Sequence, residues 1–66
     1  MVVNVNGREQ QLPEGASVAE LLSELDLNAK QVAVEVNLEL VPRENHDGHR
    51  LADGDQLEIV TLVGGG

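Results

Sequence analysis

Only one stretch of this chain places its apolar residues at helical spacing, and it is short. Val18, Leu21, Leu22 and Leu25 fall at i, i+3, i+4 and i+7, while Ala19, Glu20, Ser23 and Glu24 take the remaining face. Ser17 and Glu20 fit the reciprocal capping box that opens a helix, and the pattern predicts a stop near Asp26–Asn28. So short an amphipathic helix cannot bury its stripe alone, because most helical stability in proteins comes from packing that stripe on something else. Elsewhere the apolar residues alternate with period two, which is the pattern of strands. The chain is therefore constrained to one helix lying on a sheet.

The strands follow from the alternation and from the turn residues between them. Val3 and Val5 alternate with Asn4 and Asn6, and Asn6-Gly7 is a pair suited to a tight hairpin turn. Arg8 to Leu12 reads as the return strand, polar enough for a sheet edge. After the helix, Val32, Val34 and Val36 form a third strand. Asn37 marks a turn, and Leu38 to Val41 form a short fourth strand ended by Pro42. Arg43 to Arg50 is polar and irregular, with room for one helical turn. Asp53-Gly54-Asp55 is a turn signal before a last strand, Gln56 to Val63. In that strand Leu57, Ile59, Thr61 and Val63 face one way and Glu58, Val60 and Leu62 the other. With both faces substantially apolar, the strand is expected either at the centre of the sheet or facing a partner. A helix crossing over after the first hairpin lets the last strand pair beside the first in parallel. The resulting class is α+β: a mixed sheet of about five strands with one helix on one face, the β-grasp or ubiquitin-like arrangement. Residues 1–63 are expected to form the domain and 64–66 a flexible glycine tail.

Composition narrows what such a domain can do. Sixty-six residues leave no room for a second core. Four Lys and Arg against twelve Asp and Glu give a net charge of −8 with both histidines neutral. Scattered cations cannot supply the basic face that nucleic-acid phosphates require, so nucleic acid is excluded as a partner, and an anionic membrane surface with it. The 41% apolar content is too high for a disordered acidic tail. The absence of cysteine excludes a disulfide framework, a thiolate metal site, an iron–sulfur cluster and a cysteine nucleophile. The absence of aromatic residues removes base-stacking platforms and membrane belts. Residues 1–6 lack the basic and apolar regions of a signal peptide, and no apolar run approaches a membrane span. The cytoplasm is the expected compartment.

The residue patterns that invite chemistry are few. His46 and His49 flank Asp47-Gly48, with Glu44 nearby, but Gly48 argues for a loop over a helical zinc pair. The expectation is of solvated loop histidines and no metal. Asp53 and Asp55 flank Gly54 and are expected to bond local turn amides. Arg43, after Pro42, reads as a surface residue pairing with Glu39 or Glu44, the alternative being a docking contact. Gly54 is isolated and the glycine tail precedes no helix, so nothing here cradles a phosphate and the chain itself is not expected to bind ATP. The tail Gly64-Gly65-Gly66 is different. Residues without Cβ leave the backbone free, and four residues past the last strand reach about 13 Å. That is enough to carry a terminal carboxylate into another protein's narrow site. A carboxylate is a poor electrophile, but its mixed anhydride with AMP can be attacked.

Val32-Ala33-Val34-Glu35-Val36-Asn37, Val41-Pro42-Arg43-Glu44, Asp53-Gly54-Asp55 through Ile59-Val60-Thr61, and the glycine end together resemble the ThiS family of sulfur carriers in thiamine biosynthesis. The likeness runs over nearly the whole chain. The Gly-Gly end alone is common to ubiquitin-like carriers, including the small subunit of molybdopterin synthase. The resemblance implies that a ThiF-type enzyme adenylates the Gly66 carboxylate using ATP and Mg²⁺. Sulfur originating from a cysteine desulfurase then makes a thiocarboxylate, and thiazole synthase takes that sulfur into the thiazole of thiamine. Gly66 is the reacting residue, Gly65 and Gly64 thread the partner's site, and Gly64 is one glycine beyond the minimal pair. His46 stands where relatives often carry an aromatic residue, a departure expected to affect loop packing and not the tail. On this reading the protein is a cosubstrate and not an enzyme, and it binds no cofactor of its own. Val60 and Leu62, beside the tail, are the candidate docking patch; the alternative is that they belong to the core. The competing functions are a carrier for another sulfur pathway, of the molybdopterin type, a ubiquitin-like protein modifier, an interaction domain with an inert tail and, most distantly, a metal-dependent enzyme built on His46 and His49.

Overall fold

A computed structural model describes residues 1–62 of the chain. Strands β1 (Val2–Val5), β2 (Arg8–Gln11), β3 (Val32–Val36), β4 (Glu39–Val41) and β5 (Gln56–Thr61) form one sheet in the order β2-β1-β5-β3-β4. Helix α1 (Val18–Glu24) joins the second strand to the third. β5 lies at the centre, parallel to β1 and antiparallel to β3. This is the β-grasp order, with polar β2 at one edge as its composition requires. Val63 and the glycine tail, hence also the domain boundary at residue 63, lie outside the described residues.

Local chemistry accounts for the elements. At the first hairpin Asn6 and Gly7 both hold positive φ, 52° and 86°, the backbone that two-residue hairpin turns demand. Asn4 Oδ1 steadies the turn by accepting from the Gly7 amide at 2.9 Å. Helix α1 starts with the full capping box: Ser17 Oγ accepts from Glu20 N, and Glu20 Oε1 from Ser17 N, each at 3.1 Å. Val18, Leu21 and Leu22 point into the sheet, where they join Val3, Val34, Val36, Leu57 and Ile59 in one aliphatic core; Leu25 packs against its margin. With no aromatic side chain available, branched aliphatics on both layers fill the core, and each buried one contributes about 1.5–3 kcal/mol before entropy is counted.

The second hairpin departs from expectation by one residue. Leu38 belongs to the turn, because Asn37 and Leu38 both adopt positive φ, 51° and 72°, and β4 begins only at Glu39. The turn repeats the Asn6-Gly7 geometry with leucine in the place where glycine is preferred.

The segment after β4 also differs. His46 was expected in solvent; its side chain is only 4% exposed, and Nε2 meets the Val41 carbonyl at 3.0 Å. A 3₁₀ turn at Arg43–Asn45 folds the chain back, and the carbonyls of His46 and His49 accept from Ala19 N (3.1 Å) and Val18 N (3.0 Å). Those are amides that a helix N-terminus leaves without intrahelical partners. Seating the loop there drives the His46 ring inward, so the solvated reading holds only for the half-buried His49.

Candidate docking face and the strand leading to the C-terminus

The outer face of the sheet, opposite α1, carries the apolar residues that the core does not use. On β5, Leu57 and Ile59 turn inward, while Val60 is 56% exposed and Leu62, just past the strand, is 52% exposed. The core alternative for these two residues is thereby removed. The register sets Val60 opposite Ala33 and Glu58 opposite Glu35, and across the next ladder Glu35 opposite Leu40. Leu40, 64% exposed, therefore lies on the same face as Val60, two strands away. Leu38 borders a shallow groove on this face together with Asn4, Glu35, Gln56 and Glu58. Sequence reasoning missed Leu38 and Leu40; the signal available was Leu40 alternating with inward Val41 on a strand too short to hide it.

The face is apolar in patches and acidic between them. Glu35 and Glu58 stand side by side on neighbouring strands, and the chain carries −8 overall. An exposed apolar patch with a polar rim suits a partner surface, and acidic residues around it favour one bearing Lys and Arg.

The other sequence candidates take structural places. Asp53 Oδ1 accepts from Val2 N at 2.7 Å, and Asp55 accepts from Ala52 N at 2.8 Å and Asn37 Nδ2 at 3.0 Å. These carboxylates thus pin the turn before β5 to both neighbouring hairpins. Arg43 is exposed, its carbonyl accepting from His46 N at 3.1 Å. Among the described residues no three His, Asp or Glu side chains gather in a way that could hold a metal, and no helix is long and apolar enough to cross a membrane. Gly64, Gly65 and Gly66 lie outside the described residues. The last described residues, Val60 to Leu62, lie at the end of the central strand.

A mixed five-stranded sheet gripping one helix, with its last strand central and beside its first, defines a small ubiquitin-like β-grasp protein. The ThiS family model matches residues 2–66. The chain is 35% identical over 66 residues to the sulfur carrier protein ThiS of Escherichia coli, covering 100% of both. It resembles the crystal structure of the thiamine biosynthesis protein ThiS from Geobacter metallireducens with a TM-score of 0.85 and 39% identity, covering 100% of each chain. It is also 42% identical over 66 residues to a thiazole synthase of Paramagnetospirillum magneticum, of which it spans 20% of the length. The chain belongs to the ThiS family, a family of small sulfur carriers and not of enzymes.

Proposed function

We propose that this protein carries sulfur for thiazole formation in thiamine biosynthesis on the carboxylate of Gly66. The observation that carries the reading is the family match through residue 66, on a fold whose last described strand, β5, is the central one. A ThiF-type partner, using ATP and Mg²⁺, converts the carboxylate to an acyl adenylate and releases pyrophosphate. A persulfide supplied through a cysteine desulfurase attacks the acyl carbon and expels AMP, leaving an acyl disulfide. A second thiol then cleaves the S–S bond, forming its own disulfide with the departing cysteine and freeing the thiocarboxylate. Thiazole synthase is the acceptor. The body's contribution is binding: Val60 and Leu62 give the partner a grip while Gly64 and Gly65, lacking side chains, let the terminus pass into a narrow site.

The test is the intact mass of the protein after incubation with the adenylating enzyme, ATP, Mg²⁺, a cysteine desulfurase, cysteine and a thiol. The expected gain is that of one sulfur replacing one oxygen, absent when Gly66 is deleted. No gain, under conditions that thiolate the Escherichia coli relative, removes the carrier reading.

A further inference from the structure

Strand β5 is held differently on its two sides. Toward β3, Asn37 N donates to Gln56 O at 2.7 Å and Leu62 N to Gln31 O at 2.8 Å. Antiparallel ladders alternate, so the even-numbered residues of β5 bond to β3, while Leu57, Ile59 and Thr61 aim their N–H and C=O groups at the β1 side. There the Leu57 carbonyl accepts from Asn6 N at 3.0 Å. Beyond that point β1 has already turned into its hairpin, and a side chain replaces the missing backbone. Asn6 Nδ2 donates to Ile59 O at 3.0 Å, and Asn6 Oδ1 accepts from Ile59 N at 2.9 Å. A carboxamide offers the same donor and acceptor pair as a peptide group, so the ladder gains one more rung. At Thr61 the imitation ends. Thr61 is exposed, and among the described residues no hydrogen bond reaches its backbone from the β1 side.

An open strand edge is a template for another chain. On the carrier function proposed above, the residues after Thr61 enter a partner, and the last three are glycines. A segment without side chains can be recognised only through its backbone, and each buried N–H and C=O needs a partner. We propose that an extended segment of thiazole synthase pairs with the open edge of β5 at Thr61. Asn6 sets where that ladder of bonds begins, because its side chain occupies the rung before. Thiazole synthase is the occupant because a segment similar to this entire chain lies within a protein of that name. Strand addition of this kind takes affinity from main-chain bonds, as a glycine terminus requires.

Residue-resolved amide exchange of the natural chain, alone and with thiazole synthase, tests the proposal. In the free chain the Thr61 amide exchanges fast while Ile59 and Leu62 are protected; in the complex Thr61 becomes protected. Binding that leaves Thr61 fast, or a Thr61 amide already slow in the free chain, overturns the ladder and leaves the carrier function standing. Absence of any binding overturns the thiazole synthase assignment together with the ladder, while the mass test above still decides thiocarboxylate formation separately. As a second arm, Thr61→Pro removes the donor on the open side, where a strand tolerates proline, and Thr61→Val keeps it. Affinity is expected to fall about tenfold in the first, the worth of one hydrogen bond of about 1.4 kcal/mol, and to hold in the second. Equal affinity in a folded Thr61→Pro chain overturns the proposal.

Discussion

At Leu38 a left-handed backbone (φ 72°) carries a leucine that stays 84% exposed. Left-handed φ costs an ordinary L-residue roughly 1–2 kcal/mol, and asparagine tolerates it better. Leu38→Asn is therefore expected to stabilise the fold by about 1 kcal/mol, read as a higher urea midpoint with an unchanged slope. If that face docks a partner, the same change costs affinity, which separates the two uses of the residue. Ser17 shows the opposite balance. It is buried, its hydroxyl takes one helix amide, and its own N–H is taken by Glu20. Ser17→Ala should destabilise the protein by about 1 kcal/mol in the same measurement.

Among the elements, α1 is held more by its surroundings than by its own length. Seven residues make few intrahelical bonds, so the stripe on the sheet and the loop on its first turn do most of the stabilising. Leu21 lies fully buried in that stripe. Leu21→Ala is expected to cost 2–5 kcal/mol, a large share of the roughly 5–15 kcal/mol typical of a domain. Thermal unfolding monitored by circular dichroism should show a midpoint lowered by about 8–40 °C. The same element shows what could be seen in advance. The capping box, the stripe and the Asn6-Gly7 turn involve residues a few positions apart, and their geometry follows from local chemistry that the chain spells out. The burial of His46 does not, because it depends on the carbonyls of His46 and His49 meeting amides at Val18 and Ala19, far away in sequence. Nor does the rung that Asn6 adds at Ile59, 53 residues distant. Val60 and Leu62 were legible as apolar residues on the second face of their strand. Only the position of α1 on the other side of the sheet decides that this face is the open one. Leu38 was misplaced because leucine is seldom a turn residue, and the hairpin's two-residue geometry overrode that preference.

On the scale of the whole molecule, a charge of −8 spread over 66 residues makes association with a basic partner fast and dependent on salt. Val60→Asp with Leu62→Asp should leave the melting temperature nearly unchanged, since both residues are exposed, and weaken binding to the adenylating enzyme by tenfold or more. Titrating salt against the natural chain should slow association while changing dissociation little, measured by stopped-flow or surface binding. The order β2-β1-β5-β3-β4 also shapes how the molecule comes into being. Synthesis delivers one hairpin, then the helix, then the other hairpin, and these two pairs of strands share no edge until β5 arrives between them. The keystone is made last. Without β5 the two hairpins share no sheet, and an isolated two-stranded hairpin is marginal in water. An assembled sheet is thus by itself a sign that the chain has been made at least as far as β5.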